Sequence, residues 1–466
     1  MNDFPTDEIS GPVLFPGDEA YDAETAGFQT AYRHRPSVIV GAGCPEDVRV
    51  AVAFAAARKV PVAVQATGHG LSVPADDGVL ITTGRMDGVR VDAASRTAWI
   101  EAGVRWEQVV EAAAAHGLAP LSGSAPGVGA VSYTLGGGIG LLAREFGYAA
   151  DRVRAADIVT ADGRLRRVTA ESDPDLFWAL RGAGHNFGVV TALEVELVEV
   201  SRVWGGGMFF AADLVDQVLE TYRTWSASVP EELTSSVGLI DYPDMEQLPE
   251  KLRGRYVAHI RLVLNGSAEE GERLVAPLRA IGPRLIDSLR VLPYTESGSV
   301  YQDPPFPHAY SGTNVLLREL DAGALRAVSG LTGPSAPLMS VVDLRQMGGA
   351  LARRPEGGSA VGRRDAGYIL RVITMLQDPD SHSVARDLQD TVERTLEPWT
   401  VGRSLPFVYG DGERAGEDLT RSGFDPADYA RLARLKAVHD PANLFRFNRN
   451  ITPMAHPGQT VISYLR

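Results

Sequence analysis

A single cysteine, Cys44, in 466 residues excludes an internal disulfide and any metal site built on thiolates. Lysine and arginine number 45 against 59 acidic residues, a formal charge of −14. A chain so poor in basic residues lacks the surface that nucleic acid or an anionic membrane would need. No apolar run approaches the ~20 residues of a membrane-spanning helix. The N-terminus, Met1-Asn2-Asp3-Phe4-Pro5, has no basic residue leading into an apolar stretch, so no secretory signal is expected and a cytoplasmic location is. His-Glu-x-x-His and Gly-x-Ser-x-Gly are also missing, which argues against a zinc protease, a serine esterase or any other resident metal. There is no internal repeat.

What remains is a long chain, 44% apolar, with more residues than one ordinary core holds; two domains are the natural expectation. Its most informative text lies in two glycine-rich loops. The first is Ala66-Thr67-Gly68-His69-Gly70-Leu71-Ser72, which follows an apolar run, 60–64, that reads as a short buried strand. Glycines at a strand's end let backbone N–H groups converge on one point, the way a protein holds phosphate oxygens without charge. His69, set between two of them, is free to reach what the loop holds. The second is Thr134-Leu135-Gly136-Gly137-Gly138-Ile139-Gly140. Neither is a nicotinamide-dinucleotide fingerprint, and Gly127-Val128-Gly129-Ala130-Val131-Ser132 lacks its last glycine and its acidic partner.

Around these loops the pattern begins as a βαβ unit: a strand over 37–40, a helix started by Pro45 with Glu46 and Asp47 in its first turn, then the strand before His69. Cys44, just ahead of that helix, reads as a small buried thiol. A hairpin about 92–95, a helix over 106–116 stopped by Gly117, an Asp162-Gly163 hairpin, a short helix Pro174–Leu180 and an alternating strand over 189–198 follow. From 204 to about 405 the glycine loops give way to longer elements. Strands near 209–210, 257–264, 316–320, 338–342 and 368–374, with helices over 211–227, 267–281 and 384–396, predict an antiparallel sheet covered by helices. Residues 348–364, rich in Gly and Arg, read as an exposed loop. A helix opened by Asp425 and Pro426 carries Tyr429, Leu432, Leu435 and Val438 along one side.

Three further segments fall into order with the glycine loops: Arg181-Gly182-Ala183-Gly184-His185-Asn186-Phe187-Gly188-Val189-Val190-Thr191, Pro293-Tyr294-Thr295, and Asp440-Pro441-Ala442-Asn443-Leu444-Phe445-Arg446-Phe447-Asn448-Arg449-Asn450-Ile451. Together the five resemble the vanillyl-alcohol oxidase superfamily with its PCMH-type FAD-binding domain, and within it the berberine-bridge-enzyme-like oxidases. The likeness covers about 32–451. It implies an α+β fold with a two-lobed FAD-binding domain, 1–200, a substrate-binding domain, 201–409, whose antiparallel sheet is covered by helices, and a C-terminal segment, 410–466, that returns to the first domain.

The resemblance also implies roles. Ala66, Thr67, Gly68 and Gly70 would hold the FAD pyrophosphate, and His69 would bond covalently to a methyl carbon of the flavin. A neutral imidazole is a good nucleophile, and the electron-poor oxidised ring turns that methyl group into an electrophile. Many relatives attach the flavin a second time through Cys in Gly-x-Cys-Pro. Here the segment is Gly123-Ser124-Ala125-Pro126, so attachment through His69 alone is expected. Gly129, Tyr133, Thr134, Gly137 and Gly140, with Ser124 and Val128 beside them, would wrap the cofactor. Gly188 and Val190 would lie on the adenine side and Asn448 at the flavin or its ribityl chain. Valine at 128, where oxygen-using members carry a small residue, points to O2 as acceptor.

The family's base comes from a Tyr-x-Asn segment that is broken here, Leu405-Pro406-Phe407-Val408-Tyr409-Gly410-Asp411. Tyr409 is therefore a candidate base that reads equally as a buried tyrosine with a satisfied hydroxyl. Tyr294 is a second candidate, and Tyr301, Tyr310, Arg345 and Gln346 are expected on the substrate side. The expected function is an FAD-dependent oxidase that dehydrogenates a small organic or secondary-metabolite substrate, as a monomer or homodimer. Two other readings stay open: a cyclase in which FAD is structural, and a non-catalytic ligand-binding flavoprotein.

Overall fold

The computed structural model describes residues 3–71, 73–409 and 416–455; Ser72, Gly410 and Asp411, named above, lie outside them. Among the described residues the strands form three sheets. Val13–Leu14 (β1), Val38–Gly41 (β2), Val62–Gln65 (β3) and Val79–Thr82 (β4) take the order β1-β2-β4-β3, with β2, β4 and β3 parallel. The βαβ start is thus present, with β4 inserted between the strands joined by the helix Pro45–Arg58. Cys44 takes that helix's N-cap position and is half-exposed, its Sγ 3.8 Å from Ser10 Oγ, which corrects the expectation of a buried thiol. Asp47, one turn in, is the buried residue, accepting hydrogen bonds from Ser10 and Gly43.

Val89–Asp92 (β5), Thr97–Glu101 (β6), Val153–Val159 (β7), Leu165–Val168 (β8) and Val189–Glu196 (β9) build an antiparallel sheet in the order β5-β6-β9-β7-β8. The Asp162-Gly163 turn joins β7 to β8, with Gly163 at φ 70°. The tail packs back onto these two sheets: Val62 N–H donates to Leu444 O, and the helix Pro426–His439 lies against Pro174–Leu180. Its buried side is Tyr429, Leu432, Ala433 and Lys436. Val438, expected on that side, is 71% exposed, because the stripe follows Ala433 and Lys436 rather than Leu435 and Val438. Lys436 escapes a charge-based reading because its ammonium, though fully buried, meets Asp440 at 2.8 Å and donates to Asn186 O and Phe445 O.

The third sheet comprises Arg202–Ala211 (β10), Leu233–Asp241 (β11), Tyr256–Leu264 (β12), Ile286–Asp287 (β13), Arg290–Pro293 (β14), Tyr310–Leu317 (β15), Ser340–Gln346 (β16), Tyr368–Met375 (β17) and Thr400–Gly402 (β18). The order is β13-β10-β12-β11-β16-β17-β15-β18, with β14 also on β10 and every pairing antiparallel. Helices Val215–Ser226, Ala268–Arg279, Ala322–Thr332 and Ser381–Leu396 cover one face over a core that includes Trp204, Phe210, Tyr222, Leu262, Leu344 and Leu370. Strand β11 and the helix Ala322–Thr332 are not anticipated by the sequence. In β11 the apolar Val237 and Leu239 alternate with Ser236 and Gly238, so half of the strand is polar or bare and the apolar run is diluted.

Residues 348–364 are not a free loop. Ala360 N–H reaches Trp178 O and Arg181 O, and the Arg364 guanidinium is buried on Asp151 at 2.7 Å while also donating to Leu351 O and Arg353 O. The arginine and glycine content that suggested exposure instead makes a strap binding the third sheet's unit to the first. No helix among the described residues is long and apolar enough to cross a membrane.

Candidate active site

The loop after β3 carries the first group of site residues. Gly68 sits at φ 70°, and a Cβ there would lie 2.6 Å from Gly27 Cα, so two glycines pass with their backbones nearly touching. Phe28 N–H donates to Thr67 O and Gln29 N–H to Gly68 O, which stitches the loop to the segment 27–29. The N–H groups of Gly68, His69 and Gly70, by contrast, donate to nothing among the described residues. A Cβ on Gly70 would meet no atom within 4 Å. Unspent backbone donors beside open space, with no cation required, form the kind of nest that takes phosphate oxygens.

His69 is fixed from three sides. Its ring stacks on Phe28 with centroids 3.8 Å apart, Nδ1 shares a hydrogen bond with Thr67 Oγ1 at 2.8 Å, and its carbonyl accepts from Tyr310 Oη at 2.6 Å. Nε2 makes no hydrogen bond among the described residues. Burial, helped by the charge of Arg105 and by His308, pulls the imidazole down to about 4, so the ring is neutral and nucleophilic at neutral pH. The segment 27–29 escapes the sequence reading beyond Phe28 as an anchor; the adjacent Gly27 was its one available signal.

The remaining cofactor candidates divide into groups. Gly129 N–H donates to Thr67 Oγ1 and Val128 is half-buried beside the same loop. Gly137 and Gly138 have φ of 112° and 77° and pack on Val361 and the Tyr133 ring, while Gly140 sits where a Cβ would be 2.6 Å from Ser122 O. Thr134 Oγ1 is taken up by Ala130 O. Ser124 Oγ donates to Asp303. Val190, on β9, packs into the hydrophobic core, and Gly188 lies so close to β7 that a Cβ there would be 2.4 Å from Val159 O. Ala66 is half-buried beside Gly129. Tyr133 Oη, Asn448 Oδ1 and Asn450 Oδ1 are buried with no hydrogen-bond partner among the described residues, which polar atoms tolerate only when something else meets them. Gly70 and Gly184 likewise leave open space where a Cβ would stand.

The face of the third sheet turned away from its helices is buried and polar. Cross-strand pairing sets His259, Gly238, Asp343 and Arg371 in one row and Arg261, Ser236 and Arg345 in the next. Gly238 leaves a gap that the Arg261 guanidinium fills, which brings it to 2.6 Å from Asp343 Oδ1. Arg371 Nε donates to Asp343 Oδ2 at 2.9 Å, and Arg345 lies 3.5 Å from it. Burial opposes ionisation of Asp343, yet Arg371, Arg261 and Arg345 together hold it below the usual carboxylate range. Arg345 also donates to Ile139 O in the second glycine run, joining the sheet to that loop. Gln346 is a correction: pointing the other way, it bonds Ser226 O and Ser235 Oγ beneath the helices, since neighbours in a strand face opposite sides.

The two candidate bases differ in what their hydroxyls touch. Tyr294 is buried with Oη on Pro120 O at 3.2 Å and Ser122 Oγ at 3.0 Å, and burial pushes it up to about 12. Its proton is already committed to the protein. Tyr409 pairs through its backbone with Gly312 and sets its ring edge-on to Tyr310 at 5.3 Å. Burial raises the Tyr409 phenol while Arg371 and Arg345 pull it back. Tyr301 receives Arg261 and Arg345 on its ring at 4.4 and 5.0 Å.

The family described as FAD binding domain matches residues 36–169, and that described as berberine and berberine like matches 418–452. The chain is 28% identical to (R)-6-hydroxynicotine oxidase of Paenarthrobacter nicotinovorans over 96% of its own length and 97% of the relative's. A crystal structure of 6-hydroxy-D-nicotine oxidase from Arthrobacter nicotinovorans superposes with a TM-score of 0.80 at 26% identity, covering 96% and 98% of the two chains. The chain is an FAD-dependent oxidoreductase, similar in its two matched segments to the FAD-binding and berberine-like families. BBE-like 1 of Physcomitrella patens shares the fold of this oxidoreductase, with a TM-score of 0.82 at 18% identity over 96% and 98% of the chains. The two matched segments carry the His69 turn and the Asn448 tail, and the strands of the third sheet lie between them along the chain.

Proposed function

We propose that this oxidoreductase is an oxidase carrying FAD attached through His69 alone, with Tyr409 as the group that takes the substrate's proton and O2 as the electron acceptor. The observation that carries the attachment is the His69 ring: neutral, clamped by Phe28 and Thr67, with Nε2 making no hydrogen bond among the described residues. Ala125 in place of a thiol removes the second attachment point. Bound FAD supplies the two-electron acceptor that takes hydride from the substrate carbon and passes the electrons to O2.

The protein's own groups do the rest. Unspent N–H groups at Gly68 to Gly70 hold the diphosphate, and Asn448 Oδ1 and Tyr133 Oη meet polar edges of the cofactor. Tyr409, whose hydroxyl makes no hydrogen bond among the described residues, acts as the phenolate, which Arg371 and Arg345 favour against the burial that raises the phenol; the anion takes the substrate's proton and becomes the phenol as hydride leaves. The substrate is a small organic molecule with an oxidisable C–O or C–N bond, consistent with an oxidoreductase whose relative is named for a hydroxynicotine.

The test is a denaturing gel. Flavin fluorescence should stay with the wild-type band and leave the band of His69→Ala, while that variant still takes up dissociable FAD. Fluorescence persisting on the His69→Ala band refutes the attachment.

A further inference from the structure

The buried face of the third sheet turned away from its helices carries more positive charge than its carboxylates neutralise. Arg261, Arg345 and Arg371 converge on one carboxylate, Asp343, and all but Arg371 are nearly inaccessible. Asp303, the other carboxylate that acts on Arg345, stands on an exposed stretch and accepts from Ser124 Oγ. Two of the guanidinium groups also hold unspent donors, since Arg261 Nε and Arg345 Nε are buried without a hydrogen-bond partner among the described residues. Arg371 commits Nε and Nη2 to Asp343, and its Nη1 makes no hydrogen bond among the described residues. Tyr301's ring, under Arg261 and Arg345, offsets part of the charge but accepts none of these N–H groups in its plane. Surplus buried charge with free donors is costly unless an anion meets it.

The surplus also lies in the right place. Arg371 and Arg345 act on Tyr409, Tyr409 sets its ring against Tyr310, and Tyr310 Oη holds the His69 carbonyl. The FAD diphosphate would sit on the His69 turn, on the far side of those tyrosines, so it does not supply the missing anion. Guanidinium groups match carboxylates in shape as well as charge.

We propose that the Arg371 and Arg345 side of this cluster is a carboxylate subsite, and that the oxidoreductase acts on an organic acid whose reacting carbon lies beside Tyr409. The proposal rests on the reading that the space between Tyr409 and His69 is where substrate meets the flavin. The test titrates the FAD-loaded full chain with benzoate and, separately, with benzamide, its uncharged isostere, following the visible flavin spectrum and the heat of binding. Benzoate should bind one to one and at least about tenfold more tightly than benzamide, and Arg371→Gln should weaken benzoate by on the order of ten- to a hundredfold. Equal binding of the two ligands on the wild-type protein overturns the proposal, and that comparison needs no variant to fold. It also falls if Arg371→Gln changes the affinity of the flavin for sulfite but leaves benzoate binding intact, because the charge then serves the cofactor. A failure of the oxidase reading looks different: benzoate still binds by calorimetry, but the flavin of the same preparation never bleaches with an oxidisable acid.

Discussion

Gly68 and Gly70 stand on either side of His69, yet substitution by alanine should act on them in opposite ways. At Gly68 the backbone is left-handed, which costs an L-residue about 1–2 kcal/mol. The new Cβ would press to 2.6 Å on Gly27 Cα and 3.2 Å on Phe28 N. Relief requires the loop to part from 27–29, losing Phe28 N–H to Thr67 O and Gln29 N–H to Gly68 O at about 1 kcal/mol each. Gly68→Ala should therefore lose about 3–4 kcal/mol in chemical denaturation of the flavin-free protein. At Gly70 the Cβ enters empty space, so the flavin-free protein should change by less than about 0.5 kcal/mol. On the proposed reading that space takes the diphosphate, so Gly70→Ala should purify with much less flavin than the wild type, measured as absorbance per chain. If Gly70→Ala loads FAD fully, the open side of the turn is not where the cofactor lies and the site argument fails.

Other outcomes are expected as well. Tyr409→Phe should lower kcat by about 10²-fold or more with the flavin spectrum and substrate binding retained, whereas Tyr294→Phe should cost about 1 kcal/mol of stability and little rate; a reversed pattern in steady-state kinetics exchanges their roles. Lys436→Met leaves the Asp440 carboxylate buried without its cation and should destabilise by about 3–5 kcal/mol in a denaturant melt. His34 and His185 are both pulled down to about 4, chiefly by burial, against an ordinary value near 6.5. The unfolded chain thus binds more protons between those values, so stability is full above pH 6.5 and falls as pH drops toward 4, by as much as ~3 kcal/mol per ring. Replacing either residue with Gln should flatten that acid limb of the stability profile; an unchanged slope would exclude the rings as its cause.

The parts of the molecule governed by local rules were readable before any coordinates. Pro45, Asp173-Pro174 and Pro426 open helices because proline suits the first turn, and Asp162-Gly163 turns a hairpin because glycine takes the φ it needs. The His69 turn could be read because its glycines are few, adjacent and preceded by a strand. What stayed hidden depends on distant partners. Arg364 looks like a surface residue until Asp151 is placed against it, and Lys436 until Asp440 and two carbonyls are. Strand β11 hides for a related reason, since its serine and glycine face arginines of neighbouring strands instead of a core. The phases of adjacent strands also decide that Arg345 reaches the site while Gln346 turns beneath the helices.

The bond from Tyr310 Oη to the His69 carbonyl ties a turn of one unit to a strand of another. A ligand that nudges β15 therefore tugs on the very residue to which the flavin is proposed to be fixed. Such a tether makes the pigment a strain gauge: its colour should respond to an occupant of the neighbouring chamber before any electron has moved. Tyr310→Phe cuts that wire, leaving occupancy and hue uncoupled.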